Sequence, residues 1–434
     1  MKRIRVSIYL LIILSMLLAA CAGGVTPQAE QSGETQAPPP SGETVTVNMW
    51  IFEGEGGFLP TLIESFEAAN PNIKIQLTDI PEGDYVTKLD TALLANDPPD
   101  LAYVYEGRYL KAGSFLPLGD FFMTQDINLE DYNEGAMSSC FYEGEVYCAG
   151  TYVGAVLMFY NKDLFDAAGV PYPSATDPMT IDEYALMLQP LTVQSEDINE
   201  RVWGGDAGAP VWWVERKTMF SDDGRQTDGY INDEATAHFY DVLAGLRSDG
   251  SVMTSAEGQL MEGTDLLATG KLATSIIDNA VAIPTLEEAG IRWGAAPPPV
   301  EKEGDPPFIP TWSDGFGVMK GSDHPEEAML FLAHYIKEGN KLQLELGNLP
   351  LDLKLAEESG YAEGNEGRQE TLNAIQVGAT EILFVPGFWD VIDPTWDGFE
   401  EIAEGREAQD LLNEIAPIMQ ETLEQSWETW ESIE

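Results

Sequence analysis

The segment from residue 45 to residue 80, VTVNMWIFEGEGGFLPTLIESFEAANPNIKIQLTDI, decides the fold. Its first eight residues alternate in polarity and are rich in β-forming types, which predicts a strand. A glycine-rich loop follows, and apolar side chains then recur at helical spacing before Pro71, which predicts a helix. The residues of this helical stripe are Phe58, Leu59, Leu62, Ile63 and Phe66. The last eight residues, IKIQLTDI, predict a second strand, so the segment is a strand–helix–strand unit.

The alternation of strands and helices continues along the chain. DYVTKLDTALLAN at 84–96 predicts a helix, and PPDLAYVY at 98–105 predicts a third strand. VGAVLMFY at 153–160 is almost continuously apolar, as in strands that are buried on both faces. The tail from Glu407 to Trp430 is helical in pattern, and we expect Pro417 to begin a new helix within it. This order predicts an α/β fold whose mostly parallel sheets carry helices on both faces.

The first residues have the composition of an export signal. Lys2, Arg3 and Arg5 precede an apolar stretch that ends near Leu18 and is too short for a permanent membrane span. The sequence LAAC that ends at Cys21 resembles the lipobox of bacterial lipoproteins, in which the cysteine is lipidated. We therefore expect a signal peptide at 1–20 and a lipid anchor on Cys21. Residues 21–44 are rich in Gly, Pro, Ser, Thr and Gln, which predicts a disordered tether.

The charge of the chain restricts its partners. Asp and Glu total 74 against 22 Lys and Arg, giving a net charge of −52. Such a surface repels nucleic acid and anionic lipid, so we expect neither as a partner and membrane contact only through the lipid anchor. The acidity fits either a solvated, soluble surface or adaptation to high salt or low pH. About 390 residues remain after the leader and tether, enough for two lobes.

Cys140 and Cys148 flank FYEGEVY, whose β-forming residues surround Glu143-Gly144-Glu145. This pattern predicts a tight hairpin that brings the cysteines together, and in an exported protein it favours a disulfide over two free thiols. The chain has three histidines, and neither their number nor the cysteine spacing indicates a metal site. We expect no metal and no cofactor.

An ordered series of segments resembles one known family. These segments are 47–77, LLANDPPDLAYVYEGRYLKAGSFLPL at 93–118, EGEVYCAGTYVGAVLMFYNKDLFDAAGV at 143–170, LLATGKLATSIIDN at 266–279, FGVMKGSDHPEEAMLFLAHYI at 316–336, LGNLPL at 346–351 and VPGFWDVI at 385–392. Together they are similar to the sugar-type, maltose-binding-protein-like solute-binding proteins of bacterial ABC importers (extracellular solute-binding protein family 1). The most recognisable part is the run Tyr160-Asn161-Lys162-Asp163.

The resemblance implies a two-lobed, type II periplasmic-binding-protein-like fold with the ligand cleft between the lobes. It places the chain crossings near 149–153, 305–311 and 347–351. The expected N-terminal lobe is then 45–150 plus 312–348, and the C-terminal lobe is 151–311 plus 349–434. Such lobes close on their ligand by a hinge motion.

A sugar ring offers apolar C–H faces and a rim of hydroxyl groups, so it needs flat aromatic surfaces and planar hydrogen-bonding groups. Residues of these types stand after the predicted strands or at positions where the family places contacts. The candidates are Trp50, Glu53, Glu55, Tyr105, Glu106, Arg108, Trp212, Trp213, Asp278, Asn279, Trp312, Asp314 and Trp389. Trp50 in the core with solvated glutamates nearby is an equally good interpretation of the first loop. Ala280 stands near where family members often carry a tryptophan.

The function implied by the resemblance is carbohydrate capture. We expect a monomeric, lipid-anchored binding protein outside the cytoplasmic membrane that delivers a mono- or oligosaccharide to an ABC permease without chemical change. The acidic candidates beside tryptophans leave open a polyamine or another cationic solute. A surface glycosidase is a weaker alternative, because the sequence has no Walker A loop, G-x-S-x-G elbow or H-E-x-x-H helix and no barrel-like repetition.

Overall fold

The computed structural model describes residues 44–53, 57–104, 106–206, 219–261, 265–380 and 384–433. Residues Glu43–Glu434 form one compact unit that contains two main sheets with helices packed on them. The strands among the described residues are β1 Val45–Phe52, β2 Ile73–Ile80, β3 Leu101–Tyr103, β4 Phe141–Tyr142, β5 Glu145–Val146, β6 Gly154–Asn161, β7 Thr274–Asp278, β8 Trp293–Ala296, β9 Ile309–Trp312, β10 Phe316–Val318 and β11 Ala379–Thr380.

The helices over the same residues are α1 Leu59–Ala69, α2 Glu82–Ala95, α3 Gly107–Lys111, α4 Gly119–Thr124, α5 Glu134–Met137, α6 Lys162–Ala168, α7 Ile181–Leu191, α8 Glu234–Asp249, α9 Ser255–Leu260, α10 Asn279–Glu288, α11 Pro325–Glu345, α12 Leu353–Ser359, α13 Glu366–Gly378, α14 Phe388–Ala403 and α15 Ala408–Glu431. Short 3₁₀ turns occupy Leu129–Asp131 and Ser138–Cys140. Within the described ranges, every helix is too short or too polar to span a lipid bilayer.

The first sheet has the strand order β10-β3-β1-β2. β1 runs parallel to β2 from the pair Val45↔Ile73 to the pair Phe52↔Ile80, and it also runs parallel to β3. β10 closes the other edge in the antiparallel direction. The alternating polarity of the β1 sequence corresponds to alternating burial, since Val47, Met49 and Ile51 are buried in the core. The predicted strand–helix–strand unit is therefore confirmed.

The second sheet is built around β6, which is buried along its whole length. β7, β8 and β9 each pair with β6 in the antiparallel direction, and β11 adds to β9 in parallel. This pairing differs from the mostly parallel arrangement expected from the sequence. The apolar character of residues 153–160 reflects burial on both faces, and helices produce that burial whatever the direction of the neighbouring strands.

Three stretches of chain lie side by side between the two sheets. Residues 313–315 connect β9 of the second sheet to β10 of the first. Beside them, the Val153 N–H donates to the Leu349 carbonyl at 2.9 Å and the Leu351 N–H donates to the Thr151 carbonyl at 3.2 Å. An isolated bridge also pairs Ala149 with Phe316. We call residues 149–153, 313–315 and 349–351 the crossing segments.

A small disulfide-closed hairpin packs against one crossing segment. β4 and β5 pair around Glu143 (φ 51°) and Gly144 (φ 83°), the two positive φ angles of a type I′ hairpin turn. Cys140 and Cys148 are joined by a disulfide and are buried. A Cβ atom on Gly315 would lie 2.6 Å from both sulfur atoms, so the disulfide lies directly against the crossing segment.

The C-terminal helix differs from the expectation at its proline. α15 is continuous from Ala408 to Glu431 with Pro417 inside it, so the expected new helix at Pro417 is wrong. Pro417 lies on the exposed face, where water can bond the carbonyl that the proline leaves unpaired. Buried residues on both sides of the proline, including Leu412 and Met419, hold the two halves on the same core.

Candidate functional site

The best-defined candidate site lies on one face of β6. Gly154 pairs with Trp312 of β9, and Val156 pairs with Asp278 of β7. Directly paired residues project to the same face of a sheet, and so do residues two apart on a strand. The side chains of Trp312 and Asp278 therefore share a face with Val156. Tyr152 lies two residues before Gly154, at the end of β6 where this face begins.

Gly154 allows the indole of Trp312 to lie against the β6 backbone. A Cβ atom at Gly154 would come within 2.5 Å of Trp312 Cε2, so any other residue would displace the ring. Trp312 is half-buried and packs against the core that also contains Val156. The site thus has a flat aromatic surface whose position the backbone fixes.

Two carboxylates accompany this indole. Asp278 caps α10 by accepting a hydrogen bond from the Ala280 N–H at 2.9 Å. Asp314, in a crossing segment, accepts a hydrogen bond from the Tyr152 hydroxyl. Burial, together with the negative charge of Asp314, raises the pKa of Asp278 to about 7. Asp278 therefore carries a proton for much of the time at neutral pH, and a protonated carboxyl can both donate and accept hydrogen bonds.

Asn279 has a different position from the one expected of a ligand contact. Its side chain is fully buried, its Oδ1 accepts from the Ala155 N–H at 2.6 Å, and its Nδ2 donates to the Val153 carbonyl at 3.0 Å. These bonds hold the start of β6 beside α10. In this conformation Asn279 positions the site and does not face a ligand.

Glu106 and Arg108 stand at the loop that follows β3. Arg108 bonds the Glu106 carboxylate and donates to Asp90 Oδ2 of α2 at 2.9 Å. The guanidinium also lies over the ring of Tyr109 at 4.6 Å, and Tyr109 donates to Asp90 Oδ1 at 2.9 Å. The two predicted residues thus form one charged network with α2, with Arg108 still partly exposed.

The candidates on β1 lie in two different surroundings. Trp50 is on the α2 side of the first sheet, where the Lys88 ammonium lies 4.9 Å from its ring centre. It borders an open groove of about 480 Å³ whose other walls come from α2 and Asp97. Glu53 follows β1 and is exposed.

Trp389 occupies the first turn of α14. Gly387 precedes the helix with φ 64°, and the Trp389 ring meets Phe388 edge-on with centres 5.2 Å apart. Phe388 packs against the same core as Trp312, while Trp389 is 47% exposed. Trp389 is therefore an exposed aromatic residue next to one that packs on this core.

Sequence reasoning missed Tyr152, although an aromatic residue within a Gly-rich crossing segment is a usable signal. At the end of α15, the Trp430 ring lies 4.6 Å from that of Phe384 and 5.0 Å from the Lys111 ammonium of α3. The predicted residues Cys21, Glu55, Tyr105, Trp212 and Trp213 lie outside the described residues.

Two sheets joined by crossing segments, with aromatic and carboxylate side chains beside the junction, define the class of α/β solute-binding proteins. Residues 52–342 match the family model described as bacterial extracellular solute-binding protein, and the chain belongs to that family. The family expected from the sequence is confirmed.

Similar proteins support this assignment. The arabinooligosaccharide-binding protein of Bacillus subtilis is 27% identical over 191 residues, which are 42% of this chain and 41% of that relative. An ABC substrate-binding protein from Listeria monocytogenes in complex with cycloalternan has a TM-score of 0.72 at 22% identity, covering 88% of this chain and 100% of that one. The maltose/maltodextrin-binding domain MalE from Bdellovibrio bacteriovorus, bound to maltotriose, has a TM-score of 0.67 at 19% identity, covering 88% and 100%. The two-lobed α/β fold class is thereby confirmed.

Proposed function

We propose that the protein binds a neutral carbohydrate outside the cytoplasmic membrane and delivers it unchanged to an ABC importer. The observation that carries this proposal is the indole of Trp312, fixed against Gly154 on the same face as Asp278 and beside Tyr152 and Asp314. An aromatic face accepts the C–H side of a sugar ring, and the carboxyl and phenol groups bond its hydroxyls. The names of the similar proteins point to the same ligand class.

The lobes we propose are those expected from the sequence, 45–150 with 312–348 and 151–311 with 349–434, except that we assign Trp312, the last residue of β9, to the second lobe. Their hinge is formed by the crossing segments, whose few backbone hydrogen bonds can adjust without disturbing either sheet. A ligand that contacts both lobes binds the closed form more tightly and so shifts the population toward it. We propose that the permease receives the ligand from this closed form.

The leader and Cys21 support attachment to the membrane by lipid. Acyl chains stabilise membrane attachment by about 0.8 kcal/mol per buried CH₂, so a doubly or triply acylated cysteine suffices as an anchor. We propose that the protein works as a lipid-anchored monomer at the cell surface or in the periplasm. Labelling of the expressed protein with a fatty acid, lost in Cys21→Ser, tests this part of the proposal.

The direct test is ligand-induced stabilisation of the purified full-length chain. The chain is kept in a detergent without a sugar headgroup and heated with a panel of mono- and oligosaccharides at millimolar concentration. We expect a concentration-dependent rise in melting temperature with at least one sugar. Chromatography of the recovered ligand should show it unaltered. The proposal is contradicted if no sugar of the panel raises the melting temperature, or if the bound sugar is recovered in cleaved form.

The pair Asp278 and Asp314 also favours a second candidate, a cationic solute such as a polyamine. The raised pKa of Asp278 argues against it, because a carboxyl that is partly neutral at pH 7 attracts a cation less strongly. Affinity for a polyamine should fall steeply with added salt, whereas affinity for a neutral sugar should stay nearly constant. Titrations at low and high ionic strength distinguish the two.

A further inference from the structure

Helix α14 carries an exposed stripe that begins at Trp389. The stripe consists of Trp389, Asp393, Trp396 and Glu400, at spacings of four, three and four residues, so the side chains lie along one face. Trp389 is 47% and Trp396 43% exposed. The opposite face of the helix is buried and packs against α8 and α15. Each indole therefore keeps a large part of its surface open to solvent.

The spacing of the two tryptophans is regular. Seven residues make almost two full turns, so the two Cα atoms are about 10 Å apart along the helix axis. That separation is comparable to the distance between the first and third rings of an extended oligosaccharide. Asp393 lies between the two indoles on the same face, where its carboxylate oxygens can accept hydrogen bonds from sugar hydroxyls.

The charge around the stripe selects among possible occupants. α14 contains Asp390, Asp393, Asp397, Glu400 and Glu401 and no lysine or arginine. The guanidinium of Arg247 reaches this face, but it donates to Glu400 at 2.9 Å. An anionic ligand, such as a uronic-acid chain, would be repelled. A neutral chain with apolar ring faces suits two indoles separated by a carboxylate.

We propose that Trp396 is a second stacking platform, on which a ring of a neutral oligosaccharide already held at Trp389 rests where the chain leaves the cleft. This proposal rests on the proposed carbohydrate function and extends it, because it makes a trisaccharide or longer chain the preferred ligand. Phe388, the neighbour of Trp389, and Trp312 pack against the same buried core, and α14 runs from Trp389 to Trp396.

The test compares Trp396→Ala, Trp389→Ala and a control, Leu186→Ala, which removes a 65% exposed side chain from α7. Calorimetric titrations of the full-length chain use length series from two to five sugars of malto-, manno- and arabino-oligosaccharides. We expect Trp396→Ala to leave disaccharide affinity unchanged and to lower affinity for longer chains about tenfold. Trp389→Ala should weaken binding at every length, and the control should change nothing.

Each other outcome has a definite meaning. If the wild type binds no sugar of any length, the proposed function itself fails. If the wild type binds but Trp396→Ala changes no length, or all lengths equally, the platform is refuted while the proposed function stands. Unchanged sugar affinity together with slower uptake in cells assigns Trp396 to contact with the permease and also refutes the platform. Melting temperatures of the variants verify that each is folded.

Discussion

At the scale of single residues, Gly154 decides whether the aromatic surface of the site exists. We predict that Gly154→Ala displaces the Trp312 indole, because the new Cβ atom would lie 2.5 Å from Trp312 Cε2. Sugar affinity should fall at least tenfold, and overpacking should lower the free energy of unfolding by about 1–3 kcal/mol. Calorimetry and urea denaturation measure the two effects.

Gly245→Ala is the matched control for this prediction. Gly245 lies inside α8, and a Cβ atom there would meet nothing within 4 Å. Alanine has the higher helix propensity, so this variant should be more stable by about 0.5–1 kcal/mol with unchanged sugar affinity. Equal losses of affinity in both variants would contradict the assigned role of Gly154.

Asp278 contributes a pH dependence to the free energy of unfolding that is opposite to that of a carboxyl group whose pKa is lowered on folding. Its pKa is raised from 3.8 to about 7 by burial and by Asp314, so the folded state holds a proton that the unfolded state releases. Between about pH 4 and pH 7 the folded state therefore binds more protons, and stability from this group falls as pH rises. We predict that Asp278→Asn removes this decline and is more stable than the wild type at pH 8. Denaturation curves at a series of pH values test it, with the exposed Asp177→Asn as control.

Part of the candidate site could be predicted at this scale. Trp312, Asp278 and Asp314 are marked as candidates by residue type and place near strand ends or the crossover, and Trp389 by its resemblance to a family aromatic position. Their contact with a ligand stays a prediction. The burial of Asn279 was not visible, since it depends on which strand passes behind α10. The packing of that strand is a feature of the tertiary structure, and local sequence patterns do not contain it.

At the scale of elements, the disulfide hairpin lies against the crossing segment that contains Gly315. We predict that Cys140→Ala combined with Cys148→Ala lowers the free energy of unfolding by about 2–3 kcal/mol, because the short closed loop gains freedom when unfolded. It should also lower sugar affinity, because Gly315 loses the surface against which it packs. Urea denaturation and calorimetry measure both. Unchanged affinity beside reduced stability would show that the hairpin does not act on the hinge.

Sequence patterns predicted the elements better than their pairing. The strands and helices of the first sheet and the hairpin at 140–148 follow from local periodicity and turn residues. The antiparallel pairing of β6 and the continuity of α15 through Pro417 do not, because both depend on the cores that these elements join. Local sequence patterns indicate which residues are buried, but they do not indicate whether the neighbouring strand runs parallel or antiparallel.

At the scale of the whole molecule, α3 and the end of α15 are in contact. α3 follows a strand of the first sheet, whereas α15 packs on the core of the second sheet. The Lys111 ammonium lies 5.0 Å from the centre of the Trp430 ring, and a Cβ atom on Gly107 would lie 3.5 Å from Trp430 Cη2. If the cleft opens as proposed, this contact must break. We predict that Trp430→Ala speeds ligand release several-fold, which stopped-flow fluorescence measures. Trp427→Ala, which removes a hydrogen bond to Gly224 instead, should lower stability without the same change in release rate.

The overall architecture was accessible from sequence because many weak segments agree in their order along the chain, from Val45 to the last helix. The relation between the sheets was not accessible. It depends on contacts between residues more than three hundred positions apart, such as Lys111 with Trp430, for which a single sequence contains no signal.

The place of the disulfide beneath Gly315 links maturation to compartment. A reduced chain lacks this covalent closure, so we expect the crossing segment at Gly315 to be held less firmly in a reducing compartment than in an oxidising one. Denaturation curves with and without a reductant measure the difference.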